Sequence, residues 1–86
     1  MVDGMAQRGR KPPRITLYGA RGCVHCQQVR DWLGRHGYRF QELDVERNPR
    51  ARKTLQRLGA RGVPVLLAGD QRIDGFDPKR LRKLLG

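Results

Sequence analysis

Long apolar runs are missing from these 86 residues, and the first residues hold no hydrophobic stretch of the kind that opens a signal peptide. The sequence therefore predicts neither a membrane span nor export, and places the chain in the cytoplasm. Acidic residues are also few: eight Asp and Glu stand against nineteen Lys and Arg, for a net charge of +11. Such an imbalance favours acidic partners and makes encounters salt-sensitive. The basic residues are spread along the whole chain rather than gathered in one block, so the excess by itself does not specify a nucleic-acid site. Aromatic residues are scarce, with one Trp, two Tyr and two Phe. Tyr18, Trp32, Tyr38 and Phe40 fall in predicted strands and the first predicted helix, as core or site residues rather than an exposed stacking platform, which disfavours nucleic-acid binding. The length allows one domain with one small core, and no internal repeat is visible.

Cysteine is nearly absent too, and the two that occur, Cys23 and Cys26, stand together in "RGCVHCQQVRDWL". In a reducing compartment a permanent disulfide staple is disfavoured, and a C-x-x-C pair is redox-active or metal-binding. A tetrahedral zinc site needs four ligands, and the only further candidates are His25, between the cysteines, and His36. On a helix, His25 projects away from the face that Cys23 and Cys26 share, so a closed site would need outside ligands. No metal site is therefore expected within the chain.

Residues 1–13, "MVDGMAQRGRKPP", lack periodic apolar positions and read as a disordered basic tail ahead of a domain over 14–86. From Ile15 the pattern becomes regular. Ile15 and Leu17 alternate with polar residues up to Gly19, as in a short strand. Val29, Trp32 and Leu33 then recur at helical spacing, with a stop near Gly37. "YRFQELDV" is rich in strand formers, and "NPRARKTLQRLG" offers Asn48 as N-cap, Pro49 at the first helical position and Leu55 and Leu58 on one face. "VPVLLAGDQRIDG" reads as a hairpin turning at Gly69-Asp70, and "DPKRLRKLLG" as a helix capped by Asp77 that buries Leu81, Leu84 and Leu85. The predicted order is β-α-β-α-β-β-α: an α/β fold whose first two strands are parallel through a right-handed crossover, with helices covering both faces of a four-stranded mixed sheet.

This order puts the cysteines at a strand-loop-helix junction. A thiol at a helix start meets unpaired backbone N–H groups and the positive end of the helix dipole, which favour the thiolate. Cys23 has that position and is the expected nucleophile. Cys26, one turn further in and on the same face, is less exposed and is the expected resolving thiol. Arg21 adds a fixed positive charge before the loop. His25 either stabilises the thiolate or is an ordinary solvated residue, and sequence does not choose between the two.

With "LYGARGCVHC", "ELDVERNP", "GARGVPV" and "DGFDP" in this order, the chain from about Arg14 to Gly86 resembles the glutaredoxins of the thioredoxin-fold superfamily. The resemblance implies a cis Val63–Pro64 peptide bond beside the cysteines, with the Val63 backbone free to pair with an extended peptide or glutathione. It also implies that Tyr18 is the family's aromatic residue at the end of the first strand, and that Gly75 and Asp77 hold the γ-glutamyl end of glutathione. The activity implied is dithiol reduction of protein or glutathione mixed disulfides, with glutathione as co-substrate, no bound cofactor, disulfide-containing proteins as substrates and a monomeric state. The sequence departs from the family pattern in having C-V-H-C for C-P-Y-C, Ala20 for a Lys and Gly62 for a Thr. Val24 and the "GF" before the last helix are similar to the glutaredoxin-like electron donors of ribonucleotide reductase, which a flavoprotein, thioredoxin reductase, recharges. Val24 is also compatible with the cluster-carrying glutaredoxins, in which the nucleophilic cysteines of two copies and two glutathiones hold an iron–sulfur cluster.

Overall fold

The computed structural model describes residues 14–85; the segment 1–13, read above as a basic tail, and Gly86 lie outside the described residues. The elements are β1 (Ile15–Gly19), α1 (Val24–Arg35), β2 (Gln41–Asp44), α2 (Pro49–Arg57), β3 (Val65–Ala68), β4 (Gln71–Asp74) and α3 (Pro78–Leu85), in the predicted order. The sheet runs β2-β1-β3-β4. β1 pairs parallel with β2 and antiparallel with β3, and β3 pairs antiparallel with β4. This is the four-stranded mixed sheet of the thioredoxin-like fold.

Strand alternation divides the core between the two faces of the sheet. Ile15 and Leu17 of β1, Leu66 and Ala68 of β3 and Ile73 of β4 meet Val29, Trp32 and Leu33 of α1 and Leu81 of α3. On the other face Tyr18 and Val65 meet Ala51 and Leu55 of α2. Leu17 and Leu33 are completely buried, and each contributes roughly 1.5–3 kcal/mol of transfer free energy. Small as it is, this core fixes the junction between β1 and α1 from both sides.

The helix boundaries follow their capping residues. The Oδ1 of Asn48 accepts the N–H groups of Arg50 and Ala51, both at 3.1 Å, and Pro49 follows at a position whose missing N–H costs nothing. Asp77 accepts the Arg80 N–H at 3.2 Å and starts α3. α1 gives way at Gly37, whose φ of +74° favours glycine.

Two expectations about extent need correction. β2 is shorter than its strand-forming stretch, because pairing with β1 begins only at Thr16 opposite Gln41, leaving Tyr38 and Phe40 without a strand partner. Both instead pack, half-buried, against the α1 core, and the Tyr38 hydroxyl donates to the Leu85 carbonyl. In α3 only Leu81 is fully buried, while Leu84 and Leu85 are half-buried. The reason is the outer position of β4, beyond which no strand among the described residues extends the sheet under the last helical turn.

Candidate active site

β1 delivers the chain at Gly19, and the turn at Arg21-Gly22, with Gly22 at φ +74°, brings Cys23 to the N-cap of α1. Cys23 has extended dihedrals, φ −89° and ψ 110°, and its Sγ accepts the backbone N–H of Cys26 at 3.2 Å. The first turn of α1 contains no acidic residue. A negative sulfur at this place is met by backbone N–H donors and the positive end of the helix dipole, with no carboxylate opposing it. Cys23 is half-buried and Cys26 is completely buried, and both are free thiols. Between them Val24 points outward, 68% exposed.

Burial raises the Cys26 thiol from 9.0 to about 11, and its hydrogen bond with Cys23 adds to the rise; the Ala20 backbone and the positive charge of Arg30 act in the opposite direction. The two thiols thus occupy different environments, one at the mouth of the helix and one beneath it. Gly19 makes this packing possible. A Cβ on Gly19 would lie 3.3 Å from the Cys26 Sγ and 3.4 Å from the Glu42 Oε2. Glu42 is in turn paired with Arg30, which lies one turn beyond Cys26 on α1 and donates from Nε to Oε1 at 2.8 Å and from Nη2 to Oε2. Glu42 holds the Arg30 guanidinium above the usual arginine range.

Across the junction, the Cys23 Sγ lies 4.0 Å from the Val63 carbonyl oxygen, to which it donates. The Val63–Pro64 bond is cis. The Gly75 N–H donates to the Pro64 carbonyl at 2.9 Å, and Gly75 has φ +80°, so the end of β4 is tied to the proline loop. Tyr18 is buried in the cluster on the α2 face, against which Val63 packs. Cys23, Val63, Pro64, Gly75 and Tyr18 therefore belong to one end of the sheet. Arg21 is exposed and lines a groove with Gly22, Cys23, Val24, Gln27 and Arg30. A second groove is lined by Arg61, Gly62, Val63, Pro64, Asp74 and Gly75. The Asp77 carboxylate is engaged in capping α3.

Neither histidine is bonded to a thiol. His25 Nδ1 is 2.9 Å from the exposed Gln28 Oε1, and the His36 ring stacks on Trp32 with centroids 3.8 Å apart. The His25 side chain is exposed. No cluster of three or more His, Cys, Asp or Glu suited to a metal ion occurs among the described residues. A further hollow is lined by Arg14, Ile15, Tyr38, Arg39 and Phe40 at the starting ends of β1 and β2, away from the thiols. No helix among the described residues is long and apolar enough to cross a membrane.

Arg30, Glu42 and Gly19 are the residues around Cys26 that sequence reasoning passed over. Their signals were present: Arg30 is four residues after Cys26, and Glu42 shares a sheet face with Leu17 and Gly19 by strand alternation.

The glutaredoxin family model matches residues 15–73. The glutaredoxin-like protein NrdH of Escherichia coli strain K12 is 35% identical over 71 residues, covering 83% of this chain and 88% of the relative. The NrdH of Lactococcus lactis strain MG1363 is 31% identical over 70 residues, covering 81% and 97%. The solved Escherichia coli NrdH-redoxin, described for its thioredoxin-like activity profile, superposes with a TM-score of 0.79 at 34% identity, covering 85% of this chain and 96% of that one. With the paired thiols, the proline loop and the sheet order all in place, the chain belongs to the glutaredoxin family and is a glutaredoxin-like thiol–disulfide oxidoreductase.

Proposed function

We propose that Cys23 is the attacking thiol and Cys26 the resolving thiol of a dithiol cycle that reduces protein disulfides and is recharged by a flavoprotein of the thioredoxin-reductase type. The observation that carries this reading is the half-buried Cys23 at the cap of α1, its sulfur accepting the N–H of the fully buried Cys26 and facing the Val63 carbonyl. Cys23 as thiolate attacks a substrate disulfide, forming a mixed disulfide and releasing one substrate thiolate, which takes a proton from water. Cys26 then loses its proton and attacks the Cys23 sulfur. The Cys23–Cys26 bond forms, the second substrate thiolate leaves, and two electrons have passed to the substrate. The Val63 backbone and the grooves beside it would hold an extended segment of the substrate, with Pro64 lining one groove, Tyr18 packed beneath Val63 and Arg21 drawing acidic substrates. No resident cofactor enters the cycle.

Two features favour a flavoprotein reductase over glutathione: the thioredoxin-like activity profile ascribed to the Escherichia coli relative, and Ala20 where glutaredoxins carry a Lys. Gly75 and Asp77 remain the residues that would receive the γ-glutamyl end of glutathione if it docks. The experiment supplies oxidised protein and NADPH with either thioredoxin reductase or glutathione plus glutathione reductase, and follows NADPH consumption. Turnover with the first system is expected. Turnover only with the second would overturn the assignment of the reductant.

A further inference from the structure

We propose that the Arg30–Glu42 ion pair is a positioning device that holds two opposed charges beside the buried Cys26 thiol, each of which shifts, with opposite sign, the pH at which that thiol becomes a thiolate. The inference rests on the reading of Cys26 as the resolving cysteine only for its consequence in turnover, not for the electrostatics. It begins from a geometry that Gly19 creates: the Cys26 Sγ and the Glu42 Oε2 both lie within 3.4 Å of the one point where a Gly19 side chain would begin. Arg30, one helical turn from Cys26, clasps that carboxylate with two nitrogens and is steadied from its own helix by Gln27, whose Oε1 accepts from Nη1 at 2.6 Å. The positive charge of Arg30 therefore has two tethers.

Among the other groups around Cys26, the Cys23 sulfur acts on it electrostatically more strongly than Arg30 and in the raising direction. On the same helix, Asp31 accepts from the Gln27 side chain at 2.9 Å. Cys23 lies at the helix cap and contributes its own sulfur. β1 supplies Gly19 and the residue after it is Ala20, neither with a titratable side chain. On β2 the next residue on the Glu42 face is Asp44, opposite Gly19 in register, and its Oδ1 is engaged by the Glu46 N–H at 2.8 Å. Arg30 acts to lower the Cys26 thiol against the larger effect of burial. Because the Arg30 and Glu42 side chains are each 32% exposed, solvent and salt moderate the effect without removing it.

In the resolving step, Cys26–SH gives its proton to solvent, and the thiolate displaces the substrate sulfur from Cys23. The Cys23–Cys26 bond forms, and the departing thiolate takes a proton from solvent. The fraction of Cys26 thiolate at a given pH then sets the rate of this step, and Arg30 and Glu42 act on that fraction with opposite signs.

The test is a titration of the Cys26 ¹³Cβ resonance in the reduced full-length protein, for wild type, Arg30→Gln, Glu42→Gln and the double variant. Arg30→Gln leaves the carboxylate unopposed and should move the Cys26 midpoint up, by about half a pH unit or more for a partly screened neighbour. Glu42→Gln retains an acceptor for Arg30 but not the negative charge, and should move it down. The double variant should return towards wild type. Shifts of the same sign in both single variants indicate loosened packing and would overturn the proposal, as would unchanged midpoints. Resolution of a preformed Cys23 mixed disulfide, followed by stopped flow against pH, reports on turnover separately. If the midpoints move as expected while this rate does not follow them, the electrostatic inference stands and the resolving role of Cys26 fails.

Discussion

The N–H of Cys26 donates to the Sγ of Cys23 at 3.2 Å, so the sulfur proposed to attack is also the cap of α1. Serine is a good N-cap, and Cys23→Ser should therefore leave the fold stable to within about 0.5 kcal/mol while abolishing thiol transfer. Thermal unfolding and a disulfide-reduction assay on the same preparation check both halves. Retained activity would remove Cys23 from the chemistry, and a large loss of stability would make the loss of activity uninformative.

Burial of Cys26 links its ionisation to stability. Its folded value of about 11 lies above the ordinary 9.0, so the unfolded chain releases this proton at lower pH than the folded one. The stabilising contribution is therefore fully present below pH 9.0 and is lost as pH rises towards about 11. Denaturant midpoints measured at increasing alkaline pH should fall more steeply for wild type than for Cys26→Ala. Parallel slopes would contradict the folded environment assigned to this thiol.

Asp74 lies in the groove beside the proline loop, and its hydrogen bonds from Arg72, at 2.7 and 2.9 Å, hold its carboxyl below the usual 3.8. The stability this contributes is present above pH 3.8 and is lost as pH falls through the lowered folded value. The pair is exposed, so Asp74→Asn should cost no more than about 1 kcal/mol at neutral pH and should flatten the acid side of the stability curve. An unchanged acid limb in Asp74→Asn would show that the ion pair contributes nothing.

Gly19→Ala tests the close approach behind the thiols. The new Cβ would stand 3.3 Å from the Cys26 Sγ and 3.4 Å from the Glu42 Oε2, so the sulfur and the carboxylate must give way. A cost of about 1–3 kcal/mol is expected, together with a displaced Cys26 ¹³Cβ resonance. A variant as stable as wild type with an unmoved resonance would show that the site has slack there.

The order of elements was legible because the local signals agree with one another: the alternation around Leu17, the helical spacing of Val29, Trp32 and Leu33, Asn48-Pro49 at a helix start and Gly69-Asp70 at a turn. That Cys26 is less accessible than Cys23 was legible for the same reason, since position at the cap or one turn inside a helix fixes access. What escaped was set by tertiary context. Tyr38 and Phe40 look like strand residues but precede the point where β1 offers a partner. Leu84 and Leu85 look like core residues but lie in the last turn over an edge strand. Arg30 and Glu42 look like ordinary surface charges until the parallel register of β1 and β2 brings Glu42 to the same place as Cys26.

The division of labour between the two cysteines is tested most directly by intact-mass analysis of Cys26→Ser after mixing with a protein disulfide substrate. The attacker remains and the internal resolver is gone, so the account predicts a stable one-to-one covalent adduct, released by dithiothreitol and mapped by peptide analysis to Cys23, that does not build up with wild type. A Cys26→Ser protein that reduces the substrate and never accumulates the adduct, or an adduct that maps elsewhere than Cys23, would contradict it.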